Sequence, residues 1–138
     1  MSIKNVEIQD SSGNVYYPHT DADVVKYGDT TVGASLSEMV QVATLTLING
    51  WTNYGNGYSD AKCVKIGKVV HLSGLVASGT GTICYLPVGF RPSKTESCIV
   101  LLADDVVHGV LIDSNGAVIF NGTDNRLAIL NTVQFIVD

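Results

Sequence analysis

Three cysteines and three histidines are the side chains of this sequence best suited to nucleophilic or metal chemistry. A thiolate beside an imidazole would form a nucleophile with its base. The cysteines Cys63, Cys84 and Cys98 are widely spaced, however, and they form no CxxC pair and no cysteine–histidine cluster with metal-ligand spacing. Because each lies in an apolar run typical of a strand, we expect all three to be small buried hydrophobic residues.

The histidines and the one glycine-rich stretch give no stronger catalytic signal. His19, His71 and His108 are far apart in the sequence; His71 falls within an alternating strand pattern and His108 also lies in a strand pattern, just before a glycine. We expect structural histidines at these positions. The stretch 78–81 is glycine-rich, but no Lys-Ser or Lys-Thr pair follows it and no helix begins there, so it is interpreted as a loop and not as a phosphate cradle.

Acidic turns are the remaining candidates for chemistry. Asp104 and Asp105 form one turn and residues 113–116 another, but neither matches the spacing of a calcium loop, and solvated turns are commoner than cation sites. Catalysis needs groups whose proton affinities are tuned against each other, and the sequence shows no such set. It therefore predicts a protein that is not an enzyme and has neither a cofactor nor a bound metal.

Composition and charge narrow the choice of partner. The formal net charge of −5 argues against nucleic acid, which is held by clustered cations. Only 15% of the 138 residues are charged while 46% are hydrophobic, which indicates that other copies of the chain cover part of the apolar surface. With no signal-peptide pattern and no apolar run of membrane-spanning length, we expect a soluble chain that is made in a reducing cytosol and does not insert into a membrane.

The sequence of the amino-terminal third predicts secondary-structure elements that are too small to be stable alone. Residues 6–9 and 15–18 are extended runs around a turn at 10–14, which is typical of a hairpin that must lean on a larger assembly. Within 29–43, four apolar residues recur at helical spacing and would lie on one face of a helix, namely Leu36, Met39, Val40 and Ala43. Ser35 or Thr31 could cap this helix. It is expected either to self-associate with other copies or to lie on its own domain.

From residue 44 onward the sequence predicts a succession of short strands with turn punctuation, as in a sandwich or barrel. The clearest pair is 62–66 and 69–73 around Gly67-Lys68, which suits a type II′ or a type I′ turn. The segment 51–60 is predicted to be a loop. The other predicted strands are 44–48, 81–86, 97–103, 106–112, 117–120 and 127–137. We therefore expect a mainly β chain with an antiparallel β-sandwich over 44–138.

Two groups of segments carry a family resemblance. The stretches 49–51, 67–74 and 86–92, the last reading Leu-Pro-Val-Gly-Phe-Arg-Pro, together with Gly79, resemble the terminal β domain of fibre, baseplate and appendage proteins of bacteriophages that infect Gram-positive bacteria. Residues 8–20 are similar to the short lead-in ahead of such domains. The resemblance implies a homotrimer in the virion with a jelly-roll-like head that binds the host surface, often through saccharides.

On this resemblance, residues 1–43 would attach to the virion and trimerise, with 1–30 contacting another virion protein, and 44–138 would form the head. Flat aromatic faces pack on sugar rings and polar turn residues offer hydrogen bonds. The expected contacts with a cell-wall saccharide are Trp51, Tyr54, Tyr58, Asp104, Asp105, His108, Asp124, Asn125 and Arg126. Trp51 could instead seal the junction between helix and β domain, and the polar turn residues could simply be solvated.

Two other functions remain open at this point. The first is a capsid fibre or assembly connector with a purely structural role and no ligand of its own. The second is a small cellular carbohydrate-binding module, which would require a monomer.

Overall fold

The computed structural model describes residues 8–16, 21, 23–101, 107–122 and 127–138. The chain divides into two compact units, Met1–Ser37 and Glu38–Asp138. The second unit therefore begins six residues before the boundary expected at residue 44. Among the described residues, no helix has the length and apolar character needed to cross a membrane.

The first unit contains the predicted amino-terminal hairpin. Strands β1 (Ile8–Gln9) and β2 (Val15–Tyr16) pair antiparallel. The Asp10 carboxylate accepts hydrogen bonds from the backbone N–H groups of Ser12 and Asn14, each at 2.9 Å, and so organises the turn. A second small hairpin, β3 (Lys26–Tyr27) with β4 (Thr30–Thr31), follows and was not predicted.

The helix α1 (Val32–Glu38) is shorter than the sequence predicted. Thr31 caps it, since its hydroxyl oxygen accepts from the backbone N–H of Ala34 at 3.2 Å. The prediction that Val40 and Ala43 share a helical face with Leu36 is wrong, because Met39 lies in a turn and β5 (Val40–Thr44) is a strand. The alternating Val-Gln-Val sequence pairs with a neighbouring strand over its whole length, and that pairing overrides the helical spacing.

The second unit is built of short strands that follow β5. Their bounds are β6 (Thr52–Asn53), β7 (Lys62–Ile66), β8 (Val69–Ser73), β9 (Leu75–Ala77), β10 (Thr82–Tyr85), β11 (Glu96–Leu101), β12 (Val107–Ile112), β13 (Ala117–Phe120), β14 (Ala128–Ile129) and β15 (Gln134–Ile136). In the described part of this unit they form three antiparallel sheets. The first has the order β15-β8-β7-β5, the second β10-β13-β12-β11 and the third β14-β9-β6.

One buried cluster joins the inward faces of these sheets. Val70 and Leu72 from β8 and Val110 and Val118 from β12 and β13 are all fully buried members of it. Alternation along the strands places these residues inward, as in a β-sandwich. The predicted mainly β class with an antiparallel sandwich-like second unit is confirmed, and the homotrimer stays a prediction.

The hairpin β7–β8 matches its predicted bounds and settles its turn type. Gly67 has φ +58° and Lys68 is not among the residues of positive φ. A type I′ turn requires positive φ at both central positions and a type II′ turn only at the first, so the turn is type II′.

The predicted strand 127–137 is in fact broken, and the break lets the chain change sheets. Between β14 and β15 lies a 3₁₀ turn, Leu130–Thr132. The Asn131 side-chain oxygen there accepts from the backbone N–H of Gly74 at 2.8 Å. Gly74 itself lies between β8 and β9, so both strand pairs pass from the first sheet to the third at one corner.

Two further predictions, one of a strand and one of a loop, differ from the structure. The strand predicted at 44–48 is replaced by β5, which ends at Thr44, and only Leu47 makes an isolated bridge, to Cys84. The loop predicted at 51–60 contains the short strand β6, which pairs with β9. Tertiary pairing decided both cases, because β5 pairs with β7 over Val40–Thr44 and β6 pairs with β9, which lies far along the chain.

Candidate functional site

Tyr54 and Tyr58 form an exposed aromatic pair. Their ring centroids lie 5.6 Å apart and their planes meet at 61°. Tyr54 is 37% exposed and Tyr58 60%. An exposed aromatic face can pack on the apolar face of a sugar ring while the phenolic hydroxyl donates or accepts a hydrogen bond. The structure thus brings together two of the residues expected to contact a ligand.

The loop 54–60 that carries this pair is anchored at both ends. The Asn53 side-chain oxygen accepts from the backbone N–H of Ala61 at 2.9 Å and closes the loop. The Tyr54 N–H donates to the Leu75 carbonyl at 2.9 Å, and the Leu75 N–H donates to the Ser59 carbonyl at 3.3 Å. Strand β9 therefore holds both ends of the loop, which orders the tyrosines before any ligand arrives.

The tip of the loop is a tight turn. Gly55, Asn56 and Gly57 have φ values of +72°, +51° and +84°, and the Tyr58 N–H donates to the Gly55 carbonyl at 2.9 Å. Glycine and asparagine are the residues that adopt this left-handed conformation at low cost. The run Gly-Asn-Gly between two tyrosines therefore folds the chain back so that the rings meet.

Polar side chains accompany the tyrosines on the same loop. Asn56, Ser59 and Asp60 are all exposed. They can offer both donors and acceptors to ligand hydroxyl groups. Sequence reasoning did not single them out, although the signal was present, because polar residues interleave with aromatic ones throughout 51–60.

Trp51 does not belong to this exposed site. It is 3% exposed, and its ring packs edge-on against Phe120 with centroids 5.5 Å apart. A Cβ atom built on Gly79 would lie 2.2 Å from the Trp51 Cγ, so the backbone at Gly79 covers the ring closely. The expected saccharide contact at Trp51 is therefore wrong, since the indole has no open face and serves as a core residue of the second unit.

Of the other expected ligand contacts, one is packed within the fold and five lie outside the residues that the structure describes. His108 is half-buried, and its ring lies against Phe120 with centroids 5.3 Å apart. Phe120 thus contacts Trp51 and His108. The remaining expected contacts, Asp104, Asp105, Asp124, Asn125 and Arg126, lie outside the described residues.

A second surface feature is a groove of about 460 Å³ beside β11. Its lining is uncharged and mixes aliphatic with neutral polar side chains, namely Ser97, Cys98, Ile99, Val107, Thr132 and Gln134. Two hydrogen bonds link lining residues to each other, from the Thr132 hydroxyl to the Ile99 carbonyl at 2.7 Å and from the Cys98 thiol to the Gln134 carbonyl at 3.7 Å. Having no aromatic or charged side chain in its lining, the groove is chemically unlike the tyrosine loop.

The cysteines are packing residues. Cys63 and Cys84 are fully buried, as predicted, whereas Cys98 is only half-buried. Burial raises the pKa of the Cys84 thiol to about 12, with a smaller contribution from the nearby Cys63, and it also raises the pKa of Cys63 and of Cys98. All three thiols therefore stay protonated near neutral pH, which makes them poor nucleophiles and ligands. Within the described ranges, no three His, Cys, Asp or Glu residues are grouped as a metal site.

Comparison with known proteins gives a structural likeness. No family model and no curated protein sequence matches this chain. Among solved structures, the chain is similar to the receptor binding protein (gp15) of Listeria phage PSA, with a TM-score of 0.63 over 77% of this chain and 71% of that one. The two are 19% identical, so the likeness shows a shared fold.

Proposed function

We propose that this chain is a bacteriophage virion protein that attaches the particle to the surface of a Gram-positive host. The observation that carries the proposal is the fold shared with a phage receptor binding protein over 77% of the chain. The tyrosine loop adds a chemical reason, because it is an exposed and ordered aromatic surface of the kind that binds sugars.

The ligand in this proposal is a cell-wall saccharide that packs on Tyr54 and Tyr58. The 60% exposed ring of Tyr58 supplies the larger open face. Asn56, Ser59 and Asp60 would hydrogen-bond the sugar hydroxyls. Because strand β9 already orders the loop, binding would cost little conformational entropy.

The assembly in this proposal is a homotrimer exposed on the virion surface, with the second unit as its head. Residues 1–30 would bind another virion protein. The hairpin β1–β2 supports this role, since its two-residue strands are too short to be stable without a larger partner surface.

The test is binding of the full chain, fluorescently labelled, to a panel of Gram-positive cells that includes Listeria, and to purified cell-wall polysaccharide. Loss of one stacked aromatic ring is expected to weaken binding about 10-fold, equivalent to ~1.4 kcal/mol, in Tyr58→Ala. The matched control is Tyr85→Ala, which removes a tyrosine that is 53% exposed on β10; it should bind as the unaltered chain does.

Two results would count against the proposal in different ways. Unchanged binding of the double variant Tyr54→Ala/Tyr58→Ala would place the ligand elsewhere on the molecule. A chain that binds none of the cells or polysaccharides would contradict host attachment and favour the purely structural capsid fibre or connector.

A further inference from the structure

The outward face of the sheet β15-β8-β7-β5 carries a continuous row of aliphatic side chains. Strand register places Ile136 opposite Val69, Val69 opposite Ile66, and Ile66 opposite Val40. These four residues, called the apolar row below, are 65%, 37%, 58% and 55% exposed in that order. The row crosses all four strands of the sheet.

In the next row on the same face, the two residues nearest the β5 edge of the sheet are apolar. Register aligns Val42, Val64, His71 and Gln134 across the four strands. Val42 is 64% exposed. Six of the eight residues in the two rows are therefore Val or Ile, and neither row contains an acid, although the chain as a whole has a formal net charge of −5.

This pattern is unlike that of a sheet face in contact with water. Antiparallel sheets that are solvated on one side alternate apolar and polar residues, so that the outer face is polar. Here the inner face is apolar as well, since Cys63, Val70, Leu72 and Phe135 from the same strands are buried. Strand propensity does not require the outer valines, because threonine would serve equally well, as Thr44 does on the same face.

The apolar face extends towards the groove beside β11. Gln134 lines that groove and also stands in the second row, on the strand that carries Ile136. Ile99 and Val107, which line the groove, are 61% and 57% exposed. Aliphatic surface therefore lies on both sides of Gln134.

We propose that the apolar row and the face around it pack against a second copy of this chain. An aliphatic row without aromatic rings or charges suits neither a saccharide nor an anionic wall polymer. Copies of the same uncharged row can instead converge about a threefold axis without like-charge repulsion, and Lys62 stands two rows away on the same face. Val40, Val42, Ile66, Val69 and Ile136 expose on the order of 400 Å² of apolar surface, enough for the centre of an interface of roughly 800 Å² per partner.

This inference deepens the homotrimer of the proposed function and assigns its contact to a sheet face. The sequence had placed self-association on a helical face of Leu36, Met39, Val40 and Ala43. Of these, Val40 remains in the contact, but as a member of the sheet.

The experiment is the mass of the full chain by sedimentation over a range of micromolar concentrations. The expected mass is a multiple of the chain mass of 14.6 kDa. In Ile66→Lys/Ile136→Lys, two ammonium groups would be buried at the contact, so the dissociation constant should rise by at least about 100-fold. The matched control Val88→Lys, at a turn residue that is 84% exposed, should leave the mass unchanged.

A milder double variant serves where the lysine double variant does not fold. Ile66→Thr/Val69→Thr keeps β-branched side chains in the sheet, and it should retain the circular dichroism spectrum while weakening association about 10-fold. A monomeric unaltered chain would overturn the inference. Folded variants that keep the parent mass at every concentration would overturn it too.

The outcomes separate this inference from host attachment. Tyr58→Ala should keep the parent mass even where it no longer binds cells, so a failure to bind cells leaves the sheet contact standing. A monomer that still binds cells through the tyrosine loop would refute the sheet contact and the homotrimer, while host attachment would stand.

Discussion

Two aromatic clusters in the second unit have nearly the same ring geometry and opposite exposure. Trp51 and Phe120 lie 5.5 Å apart at 82°, and Tyr54 and Tyr58 lie 5.6 Å apart at 61°. The first two rings are 3% and 2% exposed, whereas the tyrosines are 37% and 60% exposed. Edge-to-face packing is therefore common to both clusters, and burial decides whether the rings stabilise the fold or remain open to a ligand.

The difference arises within three residues of chain. Trp51 points into the core just before β6, and Tyr54 follows β6 at the start of the loop. Only the tryptophan is covered by a close backbone approach, at Gly79. The buried cluster is expected to control stability and the exposed one binding, and three substitutions test this separation.

The largest effect is expected from Trp51→Ala. Removing a buried indole leaves a cavity and should lower the free energy of unfolding by about 3–5 kcal/mol, whereas Tyr58→Ala should lower it by less than ~0.5 kcal/mol. Urea unfolding followed by circular dichroism measures both. Comparable losses in the two variants would contradict the assignment of the clusters to different roles.

An intermediate effect is expected from Gly74→Ala, which tests how the loop is tied to the fold. Gly74 has φ +121°, and a Cβ atom there would lie 2.7 Å from the Cα of Ala61, where the loop ends. The backbone must shift, at a cost of roughly 2–4 kcal/mol, and saccharide binding should weaken as well because the loop moves.

The matched control for that variant is Gly13→Ala in the first unit. Gly13 has φ +82° with nothing within 4 Å of the added carbon, so the only cost is that of holding alanine in the left-handed region, at about 1 kcal/mol. If the two variants lose the same free energy of unfolding, the close approach of Gly74 to Ala61 contributes nothing to the cost.

The smallest effect on stability is expected from Asn53→Ala, which removes the acceptor that closes the tyrosine loop. The Ala61 N–H loses its partner, at about 1–2 kcal/mol in the free energy of unfolding, and the less ordered loop should bind several-fold more weakly. Asn53→Asp keeps an oxygen acceptor and should restore binding. Calorimetric titration with the polysaccharide gives the affinities, and unaltered affinity in Asn53→Ala would show that the tyrosines need no anchored loop.

Part of the fold and of the site could be predicted from the sequence because it depends on near neighbours. Strands β7 and β8 and the turn at Gly67 follow from alternation and a two-residue connection. The tyrosines share a loop because Gly-Asn-Gly separates them. The sequence also indicated an excess of apolar surface, although it could not locate that surface.

Contacts between distant residues decided the rest. Val40 and Ala43 fit a helical period, but pairing with β7 fixed them as a strand, and Trp51 was assigned to the core by Gly79 and Phe120, which are far along the chain. The apolar row exists only through the register of four strands, two of which are separated from the β7–β8 hairpin by long stretches of sequence. Periodicity is a local property, whereas register and burial depend on which segments meet, so only the tertiary structure could place these side chains.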